Sequence, residues 1–168
     1  MRNHSALLIL ALIVAAGCGG PAAEVASAPA DDAPIKSPDF RVESLAKPGT
    51  YRELSDFEGK VVVLDFWATW CGPCRQYMPI IQEVHDKYKD KGLEIVALST
   101  EERPVVERFE KKRKYTYPVY LDVMSNTSQG FGVTALPTLA VLNRKGEVVF
   151  FASGPPPSAL REAIEKAL

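Results

Sequence analysis

Two cysteines of this chain have the spacing of a redox-active or metal-binding pair, since Cys71 and Cys74 are separated only by Gly72 and Pro73. Thiols at this spacing can close a small disulfide ring, or they can supply half of the ligands of a structural zinc site. A structural zinc ion needs four ligands, and the sequence has one further cysteine, Cys18, and no second pair. The pattern therefore favours a Cys71–Cys74 disulfide and no metal.

The segments around this pair predict which thiol reacts first. An apolar, β-branched run at Val61–Trp67 predicts a buried strand, and apolar residues at helical spacing predict a helix from Pro73 to about Lys89. Cys71 then lies at the helix N-terminus, where the helix dipole stabilises its thiolate and lowers its pKa below the free value of about 8.5. We therefore expect an exposed Cys71 to attack disulfides, and a more buried Cys74 to resolve the mixed disulfide.

An acidic residue, Asp65, interrupts the apolar strand that precedes Cys71. If its carboxyl is buried, desolvation raises its pKa, and it can accept the proton of Cys74 when that thiol becomes the attacking thiolate. The alternative interpretation is an edge or partly solvated carboxylate without a catalytic role.

Four ring-bearing side chains near the pair have separate interpretations. Trp70 directly precedes the first cysteine, and we expect its partly exposed ring to contact the protein partner. Trp67 is expected in the core. Tyr77 follows the second cysteine by one turn and either packs or tunes the thiols. His85 is expected on the surface.

The remaining pattern predicts an α/β fold with a mixed central sheet between helices. The predicted strands are 40–44, 51–54, 61–67, 93–99, 119–121, 138–142 and 148–151. The predicted helices are 73–89, 104–114 and 158–168, with one more between the strands at 119–121 and 138–142. The basic run Lys111–Lys114 is expected to end the second of these helices, where cations suit the helix dipole.

The N-terminal segment has the pattern of an export signal. A short stretch with Arg2 precedes the apolar run Ala6–Ala16, which is too short to span a bilayer as a helix. Small residues then lead to Cys18, and this arrangement resembles a bacterial lipoprotein signal whose cysteine is acylated. The alternatives are a plain cleaved signal or an uncleaved anchor, in which Cys18 has no role. We expect a signal at 1–17, a flexible tether rich in Ala, Pro and Gly at 18–37, and a folded domain at 38–168.

Composition limits the possible partners of this chain. It has 168 residues, of which 46% are hydrophobic, which suits one globular domain with a sizeable core. The 20 basic and 21 acidic residues give a net charge of −1, which does not predict nucleic-acid binding. Three cysteines are too few for a disulfide-rich mini-domain, and two histidines leave little material for a metal site.

Two segments carry a resemblance to the thioredoxin family. Residues Asp65–Cys74, with the sequence DFWATWCGPC, resemble its active-site segment, and Pro79 matches its helix proline. Residues Phe131–Thr138 resemble the segment that carries its cis-proline. The resemblance implies a thioredoxin fold and a cis Leu136–Pro137 bond, whose backbone would meet an extended substrate strand beside the first cysteine. Together with Trp70, Gly72 and Pro73, these two residues would form the substrate-binding surface.

Further segments narrow the resemblance to a subgroup. Pro38-Asp39-Phe40, Leu54–Lys60 and the long, inserted αβ segment Glu101–Leu136 are similar to membrane-anchored, extracytoplasmic TlpA/ResA-type thiol–disulfide oxidoreductases. The resemblance implies a monomer without a cofactor, which reduces disulfides of exported proteins, including apocytochrome c, with electrons from a membrane thiol donor. Some members that mature cytochromes carry Glu where this chain has Tyr77, and several extracytoplasmic relatives lack an acid corresponding to Asp65.

Two other functions fit the same fold. A copper-delivery lipoprotein could bind Cu(I) through two thiolates, although copper-carrying relatives use wider cysteine spacing and a histidine. A peroxiredoxin-like peroxidase would suit the inserted segment, but its Thr-x-x-Cys motif is present here only as Ala68–Cys71, without the preceding proline.

Overall fold

The apolar run at Val61–Phe66 forms the buried centre of a mixed β-sheet in a computed structural model that describes residues 35–168. Its neighbours are a parallel strand on one side and an antiparallel strand on the other. All six residues of the run are buried, because helices or loops cover both faces of the sheet. The continuous apolar pattern of this segment therefore reflects its central place.

Eight strands of the described residues belong to this one sheet. They are β1 (Ile35–Lys36), β2 (Arg41–Ser44), β3 (Tyr51–Glu53), β4 (Val61–Phe66), β5 (Leu93–Ser99), β6 (Val119–Leu121), β7 (Thr138–Leu142) and β8 (Glu147–Ser153). Their spatial order is β1-β8-β7-β4-β5-β6-β2-β3. Strands β4, β5 and β6 are parallel, and every other pairing is antiparallel.

Four α-helices connect or follow these strands in the described part of the chain. They are α1 (Gly72–Tyr88), α2 (Arg103–Glu110), α3 (Asn126–Gly130) and α4 (Pro157–Ala167). The strand and helix order agrees with the mixed α/β architecture expected from the sequence and with the thioredoxin fold that the resemblance implies. Among residues 35–168, no helix combines the length and the apolar composition that crossing a lipid bilayer requires.

Side chains of β4 alternate between two apolar clusters because successive residues of a strand point to opposite faces. Val61, Val63 and Trp67 belong to the cluster beneath α1 and α4, which we call the α1 face. Val62, Leu64 and Phe66 belong to the cluster on the opposite face. Asp65 lies two positions from both Val63 and Trp67, so its carboxyl points to the same face, toward the helix that begins beside Cys71 and contains Cys74.

The structure differs from the sequence expectations at two boundaries. The expected tether at 18–37 overlaps β1, in which Ile35 pairs with Val148, and the Ser37 N–H donates to the Gly146 carbonyl at 3.0 Å. Backbone hydrogen bonds hold this short edge strand in the sheet. Its side chains are not buried, and Ile35 is 65% exposed, so the sequence shows no apolar pattern from which the strand could be predicted. The remainder of the tether and the expected signal lie outside the described residues.

The second difference concerns the expected helix at 104–114, which ends at Glu110. The basic run Lys111–Lys114 therefore follows α2 and does not form its last turn. Lys111, Lys112 and Lys114 are exposed, but the side chain of Arg113 turns into the protein. The sequence predicts that these cations interact with the helix dipole. Arg113 instead packs against aromatic rings, among them that of Tyr115.

Candidate functional site

The two cysteines lie where β4 gives way to α1, and they form a disulfide with a Cα–Cα distance of 5.3 Å. Cys71 is the N-cap of the helix, and the backbone N–H of Cys74 donates to its Sγ at 3.1 Å. Pro73 stands in the first turn, where no intrahelical acceptor exists for a backbone N–H. A thiolate at Cys71 would accept the same N–H and face the positive end of the helix dipole.

Both cysteines are buried in the disulfide form. Cys71 is 4% exposed and Cys74 is 2% exposed, so the expected contrast between an open and a buried thiol is not seen. The disulfide holds Cys71 against its partner within the apolar cluster of the α1 face. Beside it, Trp70 is 71% exposed, as expected for a contact surface, whereas Trp67 is buried in the core.

A carboxylate outside the predicted site holds the loop that leads to Cys71. Glu101 accepts hydrogen bonds from the Thr69 backbone N–H at 2.6 Å and from the Thr69 hydroxyl at 2.7 Å. The Ser99 hydroxyl donates to the same carboxylate at 3.2 Å. Sequence analysis missed Glu101, although Thr69 and Glu101 each follow the carboxyl end of a parallel strand and such ends share one edge of a sheet.

Asp65 of β4 is buried, with 3% of its surface exposed. Burial raises the pKa of Asp65 to about 7, and the positive charge of Arg113 opposes that rise. Its Oδ1 accepts no hydrogen bond from the described residues. The buried carboxyl expected from the sequence is therefore confirmed, and the solvated alternative is wrong. A group with a pKa near 7 can both take up and release a proton at physiological pH.

Two tyrosines line the buried region near Asp65. Tyr77 of α1 and Tyr117, two residues before β6, are both buried, and neither hydroxyl has a hydrogen-bond partner among the described residues. Burial is the main cause that raises the pKa of each tyrosine, and the negative charge of Asp65 adds to the effect. Tyr77 thus packs in the core, and both phenols remain neutral at physiological pH.

The other residues expected to bind substrate lie at the start of α1 and directly before β7. The Leu136–Pro137 peptide is cis, as the resemblance implies, and the next residue, Thr138, pairs with Phe66 at the end of β4. Leu136 packs on the cluster that contains Cys71. Gly72 has open space where a side chain would begin, and Pro73 is exposed.

Two candidate residues of the sequence analysis lie away from this group. Cys18 is outside the described residues. His85 lies in the second half of α1 and is half-buried, so it is less exposed than a fully solvated surface residue, and burial lowers its pKa. Within residues 35–168, no three His, Cys, Asp or Glu side chains lie together as a set that could hold a metal ion.

Comparisons with known proteins agree with this geometry. The Redoxin family model matches residues 31–168. The thiol-disulfide oxidoreductase ResA of Bacillus thuringiensis subsp. konkukian is 40% identical over 115 residues, which cover 68% of this chain and 65% of that protein. The protein of the same name from Geobacillus kaustophilus is 35% identical over 133 residues, which cover 79% of this chain and 74% of the relative.

A solved structure supports the same assignment of the fold. A Chlorobium tepidum protein, provisionally identified as the thiol:disulfide interchange protein DsbE, superposes with a TM-score of 0.74 and 34% identity. The superposition covers 81% of this chain and 97% of that protein. The chain therefore spans nearly all of this structural neighbour, but only 65% of the length of the Bacillus relative.

Proposed function

This chain belongs to the Redoxin family, and from that premise we propose that it is a thiol–disulfide oxidoreductase that reduces disulfides of exported proteins. The Cys71/Cys74 dithiol supplies the electrons. The observation that carries the proposal is the disulfide at the start of α1, in which the Cys74 N–H donates to the sulfur of Cys71. Relatives named thiol-disulfide oxidoreductase and thiol:disulfide interchange protein support the same activity.

The first step joins the protein to its substrate. The Cys71 thiolate, stabilised by the helix N-terminus, attacks one sulfur of the substrate disulfide and forms a mixed disulfide. The second substrate sulfur leaves with the electron pair of the broken bond and takes a proton from solvent. The exposed Trp70 ring, Gly72, Pro73 and the Leu136–Pro137 backbone form the surface that holds an extended substrate segment beside the reacting sulfur.

The second step releases the substrate and uses Asp65. The Cys74 thiol gives its proton to the Asp65 carboxylate, and the resulting thiolate attacks Sγ of Cys71. The Cys71–Cys74 bond forms, the bond from Cys71 to the substrate breaks, and the substrate thiolate takes up a proton. Over both steps two electrons pass from the dithiol to the substrate disulfide, which becomes two thiols.

Insulin reduction in the presence of dithiothreitol tests the activity. We expect the wild-type protein to accelerate precipitation of the insulin B chain and Cys71→Ser to abolish the acceleration. Equal rates for these two proteins would contradict the proposal. Mass spectrometry after Cu(I) loading provides a second readout, since a copper-delivery protein would retain the metal on Cys71 and Cys74 without reducing insulin.

Single-turnover kinetics test the role of Asp65. In Asp65→Asn, formation of the mixed disulfide should proceed at the wild-type rate, whereas its resolution should slow by about 10- to 100-fold at pH 7. Stopped-flow Trp fluorescence with a test disulfide separates the two phases. An unchanged resolution rate in Asp65→Asn would remove this residue from the mechanism.

The location of the protein follows from the N-terminal sequence. We propose that residues 1–17 are a lipoprotein signal and that acylated Cys18 anchors a monomer to the extracytoplasmic side of a bacterial membrane. Radiolabelled palmitate should label the wild-type protein, and Cys18→Ala should remove the label and release the protein from membranes. Labelling of both proteins, or of neither, would exclude this anchor.

The physiological client and the electron donor can be identified through the mixed disulfide. Cys74→Ser blocks resolution, so proteins attacked by Cys71 remain covalently attached and can be identified by mass spectrometry. We propose that exported proteins, including apocytochrome c, are captured as clients and that a membrane thiol protein reduces the Cys71–Cys74 disulfide. The Cys71→Ser/Cys74→Ser variant is the matched control and should capture nothing.

A further inference from the structure

Arg113 is the one member of the basic run 111–114 whose charge enters the protein. Only 7% of its side chain is exposed, although the residue lies in an irregular segment between α2 and β6. The centre of its guanidinium lies over four aromatic rings of the α1 face. The distances to the ring centroids are 5.5 Å for Trp67, 5.7 Å for Phe109, 4.6 Å for Tyr115 and 5.1 Å for Tyr117. Attraction to these rings offsets part of the cost of burying the cation.

The same face of the sheet contains the Asp65 carboxyl. Trp67 follows Asp65 by two positions on the chain, so both side chains point toward α1 and the segment of Arg113. In the sheet, Asp65 pairs with Ala97 of β5 and with Leu139 of β7, and neither neighbour carries a charge or a hydrogen-bonding side chain. The paired residues of the neighbouring strands therefore supply no charge or side-chain hydrogen bond that would offset the cost of burying the Asp65 carboxylate.

The titratable groups facing Asp65 come from α1 and from the segment between α2 and β6. α1 contributes Tyr77 together with Cys74, and the segment between α2 and β6 contributes Arg113 and Tyr117. Because both tyrosines are neutral and the thiols are neutral or negative, Arg113 is the only cation among them in the described part of the chain. Its charge is therefore the interaction that opposes desolvation of the Asp65 carboxylate.

We propose that Arg113 is a positioning residue that keeps Asp65 ionised, so that Asp65 can take the proton of Cys74 during resolution of the mixed disulfide. This inference rests on the oxidoreductase function proposed above and adds a residue that the active-site segment does not contain. The guanidinium acts through Asp65 and does not contact the reacting sulfurs.

Glu110 limits the effect of Arg113 without cancelling it. Its Oε1 lies 2.7 Å from Nη1 of Arg113, and its side chain is 20% exposed. Burial raises the pKa of Glu110 despite the nearby cation. Because burial disfavours the charged form of Glu110, this acid neutralises the charge of Arg113 only in part. The remaining positive charge can act on the Asp65 carboxylate. Removal of Arg113 or Glu110 should change the protonation of Asp65 in opposite directions.

The direct test is a ¹³C NMR titration of the Asp65 carboxyl in the full-length disulfide form, in which the cysteines do not titrate. Arg113→Met should raise the pKa of Asp65 by about one pH unit above the wild-type value, and Glu110→Gln should lower it by about half a unit. Arg113→Lys should restore most of the wild-type behaviour. Lys112→Met, which removes an exposed cation from the same segment, is the matched control and should leave the midpoint unchanged.

The kinetic test uses the pH dependence of the resolution step. A rise of one pH unit in the pKa of Asp65 should slow resolution by Arg113→Met about fivefold at pH 7, with the difference vanishing above about pH 9. A merely structural defect would slow resolution at every pH. If Arg113→Met does not fold, Glu110→Gln still decides the question, because only an electrostatic role predicts faster resolution at pH 6.

Three outcomes would overturn the inference. They are an Asp65 midpoint that neither Arg113→Met nor Glu110→Gln changes, a slower resolution that is independent of pH, and an equal effect of Lys112→Met. A wild-type protein without disulfide reductase activity would instead contradict the proposed function. In that case the NMR titration would still report whether Arg113 controls the charge of Asp65.

Discussion

Glu101 binds Thr69 through both of its carboxylate oxygens, which accept the Thr69 backbone N–H at 2.6 Å and the Thr69 hydroxyl at 2.7 Å. The contact joins the ends of the parallel strands β4 and β5 at the edge of the sheet where the disulfide lies. It constrains the loop from Ala68 to Trp70, and thereby the position at which α1 begins.

Replacing this acceptor should destabilise the protein. In Glu101→Gln an amide nitrogen takes the place of one carboxylate oxygen, so one donor of Thr69 loses its partner. We expect the free energy of unfolding to fall by about 1–2 kcal/mol, measured by urea denaturation of the disulfide form. Glu102→Gln alters an exposed neighbour with the same change of charge and should have almost no effect. Equal losses for both variants would indicate a general charge effect.

The burial of Asp65 makes stability depend on pH. Its pKa of about 7 in the folded protein lies above the ordinary value of 3.8, so between these values the folded state binds more protons than the unfolded state. Stability should therefore fall as the pH rises from about 4 to about 7 and then level off. Asp65→Asn removes this dependence and should exceed the wild type in stability by up to about 4 kcal/mol at pH 8.5, with almost no gain at pH 4.

Urea denaturation of the disulfide form at several pH values measures this difference. Glu94→Gln, a change in a partly buried acid at the other end of β5, controls for the loss of one negative charge. A gain for Asp65→Asn that is the same at pH 4 and pH 8.5 would contradict the buried-carboxyl interpretation.

The exposed ring of Trp70 should matter for large substrates only. A side chain that is 71% exposed contributes little to folding, but it can cover apolar surface of a bound protein. Trp70→Ala should raise the KM for insulin about tenfold and leave both kcat and the thermal midpoint nearly unchanged. Reduction of a small aromatic disulfide should change less. Tyr51→Ala removes another exposed aromatic ring on the remote strand β3 and should preserve the KM for insulin.

Arg144 should stabilise the fold without influencing the dithiol. Its guanidinium donates to the backbone oxygens of Gly59 at 2.9 Å, Lys91 at 3.1 Å and Leu168 at 3.0 Å, and so links three separate segments. Arg144→Met should lower the free energy of unfolding by about 1–3 kcal/mol, while the insulin reduction rate of the folded protein stays constant. Lys145→Met is the exposed control next to it; a comparable loss there would show that the hydrogen bonds contribute little.

The parts of the protein that follow from local patterns could be predicted from the sequence. Apolar periodicity located the central strands and the helix that begins beside Cys71, because a buried strand and an amphipathic helix each leave a repeating signal. The spacing of Cys71 and Cys74 predicted their disulfide, and the acid in an otherwise apolar strand predicted the buried carboxyl of Asp65. Strand β1 was missed because backbone hydrogen bonds, and not side-chain burial, hold it in the sheet.

Only the tertiary structure decided which distant residues surround that pair. Glu101 reaches the loop before Cys71 because β4 and β5 are parallel neighbours, and Arg113 is buried because the chain after α2 places its guanidinium over the rings of Trp67 and Tyr115. From sequence alone, Arg113 looks like one cation among four in a solvated run. Burial and charge at a site depend on contacts between remote segments, and no local pattern of residues records those contacts.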